Sequence, residues 1–182
     1  MRRLVWWLIG TAFVLSGCKG QEAPKNQPAP APEFRVDATI KDIMDSMVDP
    51  SADYIWDAVA STVTAKGVEE KFPRTDEEWK EVRRRAVQVM EASNLLLIPG
   101  RRVARPGEKS DPRIELPPER IEALISEDRA AFTKMAHALY DSVIPALKAI
   151  DAKNKDALLD AGDAIDQACE NCHMKYWYPK RQ

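Results

Sequence analysis

The chain of 182 residues has three cysteines, two histidines and seven glycines, and each scarcity excludes something. Besides His173 only His137 exists, so no second histidine is placed for acid–base work. No glycine-rich stretch could cradle a phosphate, and no strand-rich region could build a nucleotide site. We therefore read no enzyme. Positive charge is also lacking: 27 Lys and Arg face 29 Asp and Glu, for a net charge of −2. Loss of a leader carrying Arg2 and Arg3 would take this to −4. A phosphate backbone needs a basic face, so nucleic acid is excluded as a partner. Long apolar runs are missing too. The run Leu4 to Leu15 falls short of the roughly 20 residues that a membrane-spanning helix requires.

That short run has a different use. Arg2 and Arg3 precede it, and Leu15-Ser16-Gly17-Cys18 follows, so residues 1–17 read as a secretory leader. The ending resembles the lipobox of bacterial lipoproteins, in which the cysteine becomes the lipidated first residue of the mature chain. The bland alternative is a simple leader with a coincidental cysteine, or an uncleaved anchor. Lys19 in place of an aspartate implies, by the same resemblance, the outer membrane. Residues 18–36 then hold the lipidated Cys18 and a tether with Pro24, Pro28, Pro30 and Pro32, a composition that favours extended, polyproline-like chain. The expected location is periplasmic and bacterial, with the domain at residues 37–182 set off from the lipid surface.

The chemistry concentrates in Cys169-Glu170-Asn171-Cys172-His173. C-x-x-C-H is the attachment pattern of a c-type haem. Two thiols on one helical face can each form a thioether to a haem vinyl group. His173, one turn after Cys169, then supplies an axial imidazole to the iron. With Cys18 taking lipid and the other two taking haem, no cysteine remains for a structural disulfide.

The rest of the domain reads as four helices. The first begins near Thr39 with Ile40, Ile43, Met44 and Met47 on one face. Asp49-Pro50 reads as an N-cap and N1 pair that kinks or restarts it, and Ile55, Trp56, Val59 and Val63 carry the face on to Gly67. The second starts at a capping box, Thr75 to Glu78, with Trp79, Val82, Ala86, Val89, Ser93 and Leu96 expected inside, and stops at Pro99-Gly100. Residues 99–116 form a long basic connection, either a solvated loop or a docking patch for an acidic redox partner. The third helix, from Pro117 or Pro118, buries Ile121, Ile125, Phe132, Met135, Leu139, Val143, Ala146 and Ile150, with a kink or a local break expected at Pro145. Asn154 caps the fourth, whose inward stripe is Leu158, Gly162, Ile165, Cys169, Cys172 and Tyr176.

An all-α, antiparallel four-helix bundle with one C-x-x-C-H on its C-terminal helix resembles the class II c-type cytochromes, the cytochrome c′ family. The specific part of the resemblance is the C-terminal motif, with Tyr176 three residues after His173 and Lys175, Lys180 and Arg181 nearby. It implies one covalent haem c held by Cys169, Cys172 and His173. The Arg-Gln pair typical of the first helix of true cytochromes c′ is missing, and the Asp49-Pro50 break and the long loop are unusual. These departures point to the low-spin, methionine-ligated branch. Pairing into a homodimer is an expectation from the resemblance alone.

The sixth iron ligand is the open question. Met44 is the first choice and Met47 the second, both on the first helix. Met90 and Met135 read as core, Met174 is too near His173 to reach the opposite face, and His137 is a weaker candidate. Trp56 and Trp79 read as core or haem-edge packing, and Trp177 and Tyr178 as cover for that edge. The expected function is membrane-tethered periplasmic electron transfer to redox partner proteins through a His/Met-ligated haem. The alternative is a five-coordinate, gas-binding haem protein. A third reading drops haem and leaves a redox dithiol or half a zinc site.

Overall fold

In the computed structural model, which describes residues 33–179, helix starts follow local chemistry. Thr39 and Asp42 form a capping box that opens α1 (Ile40–Ile43): Asp42 N–H donates to Thr39 Oγ1 at 3.1 Å and Thr39 N–H to Asp42 Oδ2 at 2.9 Å. The same device, Thr75 with Glu78, opens α3 (Asp76–Leu95). Asn154 accepts from Ala157 N–H at 3.1 Å and opens α6 (Lys155–Tyr176). The leader, Cys18 and most of the tether lie outside the described residues.

The first helix does not restart at Asp49. Asp49 is helical, and its N–H donates to Met44 O, five residues back. Residues Met44–Val48 thus form a π-helical turn between α1 and α2 (Asp49–Asp57). Pro50 gives the reason. Its ring would strike the carbonyl of Ser46 in a regular α-helix, and a widened turn relieves that clash. Nor does the helix reach Gly67. It ends at Asp57, and residues 60–71 form a hairpin of β1 (Ala60–Thr64) and β2 (Gly67–Lys71), with Val63 opposite Val68. Val63, read as part of the buried face, is 83% exposed.

All six positions expected inside α3 are buried. The expected third helix is two: α4 (Pro118–Glu127) and α5 (Arg129–Asp151). The break is at Asp128, which leaves helical geometry (φ −141°, ψ 69°) and caps α5 through Ala131 N–H at 2.9 Å. Pro145, the expected kink, lies inside α5, which runs unbroken through it.

α3 packs on α2 and α5, and α5 lies along α6, to which the turn at residues 152–154 joins it. Ala86, Val89, Ile121, Val143, Ala146 and Ile165 lie at the centre of the shared core. The connection before α4 is braced. Its Arg102 and Val103 carbonyls accept from Ile40 N–H (2.9 Å) and Lys41 N–H (3.0 Å), two donors that the first turn of α1 leaves free. Three of its bases pair with acids: Arg102 with Glu122 at 2.6 Å, Arg105 with Asp42, and Arg113 with Asp111 at 2.6 Å. Among the described residues, no helix is long and apolar enough to cross a membrane.

Candidate functional site

α6 carries Cys169, Cys172 and His173 on neighbouring positions of one face, and all three line a single cleft. α5 supplies Phe132, Met135 and Leu139 to its wall, and α3 ends on it with Leu96. Across from α6 stand Met44, Val48 and Asp49 of the first helix. The cleft encloses about 400 Å³ counted out to solvent, yet only about 20 Å³ admits the centre of a water molecule. Its walls therefore lie close together.

The π turn decides which methionine faces this space. In an α-helix Met44 and Met47 share a face. The wider turn, with its bond from Asp49 N–H to Met44 O, rotates Met47 off that face. Met44 lines the cleft, whereas Met47 is half-buried against the core beside it. His137 lies on the exposed side of α5 and does not reach the cleft. Met90 is buried in the core. Met174 is exposed. Met135, read as core, lines the cleft.

The apolar lining sets the protonation states. Burial pushes the Cys169 thiol up to about 12, helped by the neighbouring Asp49 carboxylate, and the Cys172 thiol up to about 11. Both stay neutral at physiological pH. Burial also lowers His173, against the pull of Asp49 and Glu170. Its imidazole is held toward the neutral form, which keeps a nitrogen lone pair free. Asp49 shifts up because of burial, and the nearby His173 opposes that shift. Sequence reading treated Asp49 as a cap and missed it as a cleft residue. Its one signal was an acid close behind Met44 on the same helix.

The end of α6 is clamped. Trp177 and Tyr178 N–H both donate to the His173 carbonyl, at 2.8 and 2.9 Å. Leu116 N–H donates to Trp177 O at 2.7 Å, and Trp177 Nε1 donates to Glu115 at 3.0 Å. Glu115 in turn holds Lys41 at 3.1 Å. The Tyr178 ring stands edge-on to His173, with centroids 5.6 Å apart, and the Trp177 ring lies at 6.2 Å. Tyr176 is buried, edge-on to Phe132 at 5.5 Å. Trp79 is buried in the core, and Trp56 lies against α6, its Nε1 donating to Gly162 O at 3.2 Å.

No family model matches this chain, and no curated protein matches it. Among solved structures the chain is similar to a nitric oxide complex of a single-substitution variant of cytochrome c prime from Alcaligenes xylosoxidans. The identity is 20%, the match covers 79% of this chain and 99% of that one, and the TM-score is 0.47.

Proposed function

We propose that this chain is a monohaem c-type cytochrome that carries electrons in the periplasm. In this reading the helices form an antiparallel four-helix bundle. Cys169 and Cys172 would hold the haem through thioethers, and His173 and Met44 would bind its iron. Lipid on Cys18 and the tether of residues 18–36 would keep the domain at the outer membrane. One observation carries the reading: Cys169, Cys172 and His173 open onto one apolar cleft whose facing wall presents Met44.

The donor set fits such a group. Two neutral thiols, a largely neutral imidazole and a thioether converge on a space walled by Leu96, Phe132 and Leu139. Bound haem supplies a one-electron couple, and a His/Met pair shifts its potential upward. The chain's own part is to orient and to exclude water. Trp177 and Tyr178 fix the His173 backbone, and the apolar walls keep the site dry. The dithiol reading is disfavoured, because thiol exchange and zinc binding both need thiolate, and burial opposes it here.

The test is an optical spectrum of the purified protein, oxidised and reduced, with and without carbon monoxide. A low-spin spectrum with a methionine-to-ferric charge-transfer band is expected, lost in Met44→Ala and kept in Met47→Ala. A high-spin spectrum that shifts strongly with the gas would turn the reading to gas binding. Absence of covalent haem would remove both.

A further inference from the structure

A second groove runs between α2 and α6, with a volume of about 310 Å³. Its floor is Ile55, Trp56, Val59 and Leu158, and Leu159 on its lip is 44% exposed. Asp163 and Asp166 stand on its α6 edge. On the helix opposite, Asp49, Asp53 and Asp57 recur every fourth residue; Asp53 and Asp57 are exposed, and Asp49 reaches the cleft. Asp49 feels the charge of Asp53, and both Asp49 and Asp166 act on Cys169. The groove thus ends beside the cleft described above.

Charge is distributed unevenly over the described residues. Several acids elsewhere are paired with bases, among them Asp42 with Arg105, Glu122 with Arg102, Asp151 with Arg83 and Glu70 with Lys155. Among the described residues none of Asp49, Asp53, Asp57, Asp163 and Asp166 has an ion-pair partner. Like charges one turn apart on a helix oppose its folding, so stability does not account for such a row. An apolar floor between unpaired carboxylates is complementary to an apolar side chain ringed by lysines or arginines.

We propose that the α2–α6 groove is the docking surface for a cationic redox protein. The partner seats an apolar side chain over Trp56 and Leu159 and sets its basic rim on Asp53, Asp163 and Asp166. This rests on the reading of the neighbouring cleft as a haem site, to which it adds the partner. Of these residues Asp166 stands nearest Cys169, one turn before it on α6. In the loop of residues 99–116, by contrast, Arg102, Arg105 and Arg113 are each engaged with an acid of the same chain.

The test uses the purified full-length protein with a lysine-rich cytochrome c as the cationic probe and ferricyanide as the anionic one. Electron transfer to the cationic probe is expected to be fast and to fall steeply with salt. The triple variant Asp53→Asn, Asp163→Asn, Asp166→Asn should slow it about tenfold at low salt, with an unchanged optical spectrum and no loss of rate to ferricyanide. A control that removes the same charge elsewhere, Asp111→Asn, Glu119→Gln and Glu127→Gln, should leave the rate within about twofold. Equal losses in the two variants, or a rate insensitive to salt, would overturn the proposal. Binding is read separately from redox chemistry, by the Trp56 indole N–H resonance during titration with the same probe. A shift there in protein without haem would uphold the groove while removing the haem reading. No shift, or a shift caused by anionic lipid vesicles instead, would remove the groove.

Discussion

Replacing Gly162 with alanine tests the seam between α2 and α6. Gly162 lies inside α6 with ordinary helical geometry, so alanine should stabilise the helix by about 1 kcal/mol on propensity alone. Here the gain is opposed. The new Cβ would stand 3.2 Å from Trp56 Cδ1 and 3.5 Å from its Nε1. Relief requires the indole to back away, which strains the bond from Nε1 to Gly162 O at 3.2 Å. That bond is worth about 1 kcal/mol net, and crowding a packed contact costs about 1–3 kcal/mol. Gly162→Ala should therefore be neutral to about 2 kcal/mol destabilising. In a Trp56→Ala background both penalties vanish, and the same change should stabilise by about 1 kcal/mol. Urea unfolding of the four proteins gives a double-mutant cycle with an expected coupling of at least about 1 kcal/mol. An equal effect of Gly162→Ala in the two backgrounds would refute the contact, and with it the position of α2 on α6.

Two further outcomes follow from the caps and ion pairs. The Asp42 carboxyl is held down to about 2, first by the Thr39 backbone N–H and then by the Arg105 guanidinium, from an ordinary value of 3.8. A depressed native value gives stability that is present above the ordinary value and lost as pH falls through the native one. Glu78, Glu122 and Asp128 shift in the same direction, through the Arg74 and Thr75 backbone, Arg102 and the Ala131 N–H respectively. Stability should thus fall between about pH 4 and pH 2, with a shallower decline in Asp42→Asn, as read by urea midpoints across pH. Asn154→Ala, which removes the cap of α6, should cost about 1 kcal/mol in the same unfolding assay with little change in the slope.

The helices that begin on a cap were legible in the sequence. Thr75 with Glu78 and Asn154 each announce a start, and the buried stripe of α3 follows from three- and four-residue steps. The stripe of α6 likewise placed Cys169 and Cys172 toward the interior. The hairpin was not legible, because Val59 and Val63 stand four apart and mimic a continued helical face. The β-branched run Thr62-Val63-Thr64 was the contrary signal, and Gly67, with φ of 120°, serves the hairpin rather than a helix end. The π turn is invisible to periodicity, since Ile43 to Met47 is a normal helical step and only the clash of Pro50 demands the extra residue. For the same reason the sequence could rank Met44 above Met47 but could not rotate Met47 off the cleft. Asp128 broke a helix where no glycine or proline stood, while Pro145 was absorbed, because packing around Val143 and Ala146 outweighs one lost backbone bond. The aspartates of α2 were legible as residues, and only the pairing pattern of the folded chain shows them uncompensated.

The hairpin has a consequence for behaviour in concentrated solution. A two-stranded ribbon leaves two outer edges, each a template for another chain. β2 protects its edge with Glu69, Glu70 and Lys71, and Lys155 holds Glu70 at 2.8 Å. β1, Ala-Ser-Thr-Val-Thr, carries no charge at all. Self-association by strand addition should therefore begin on the β1 side, and a lysine at Thr62 would be the simplest guard against aggregation.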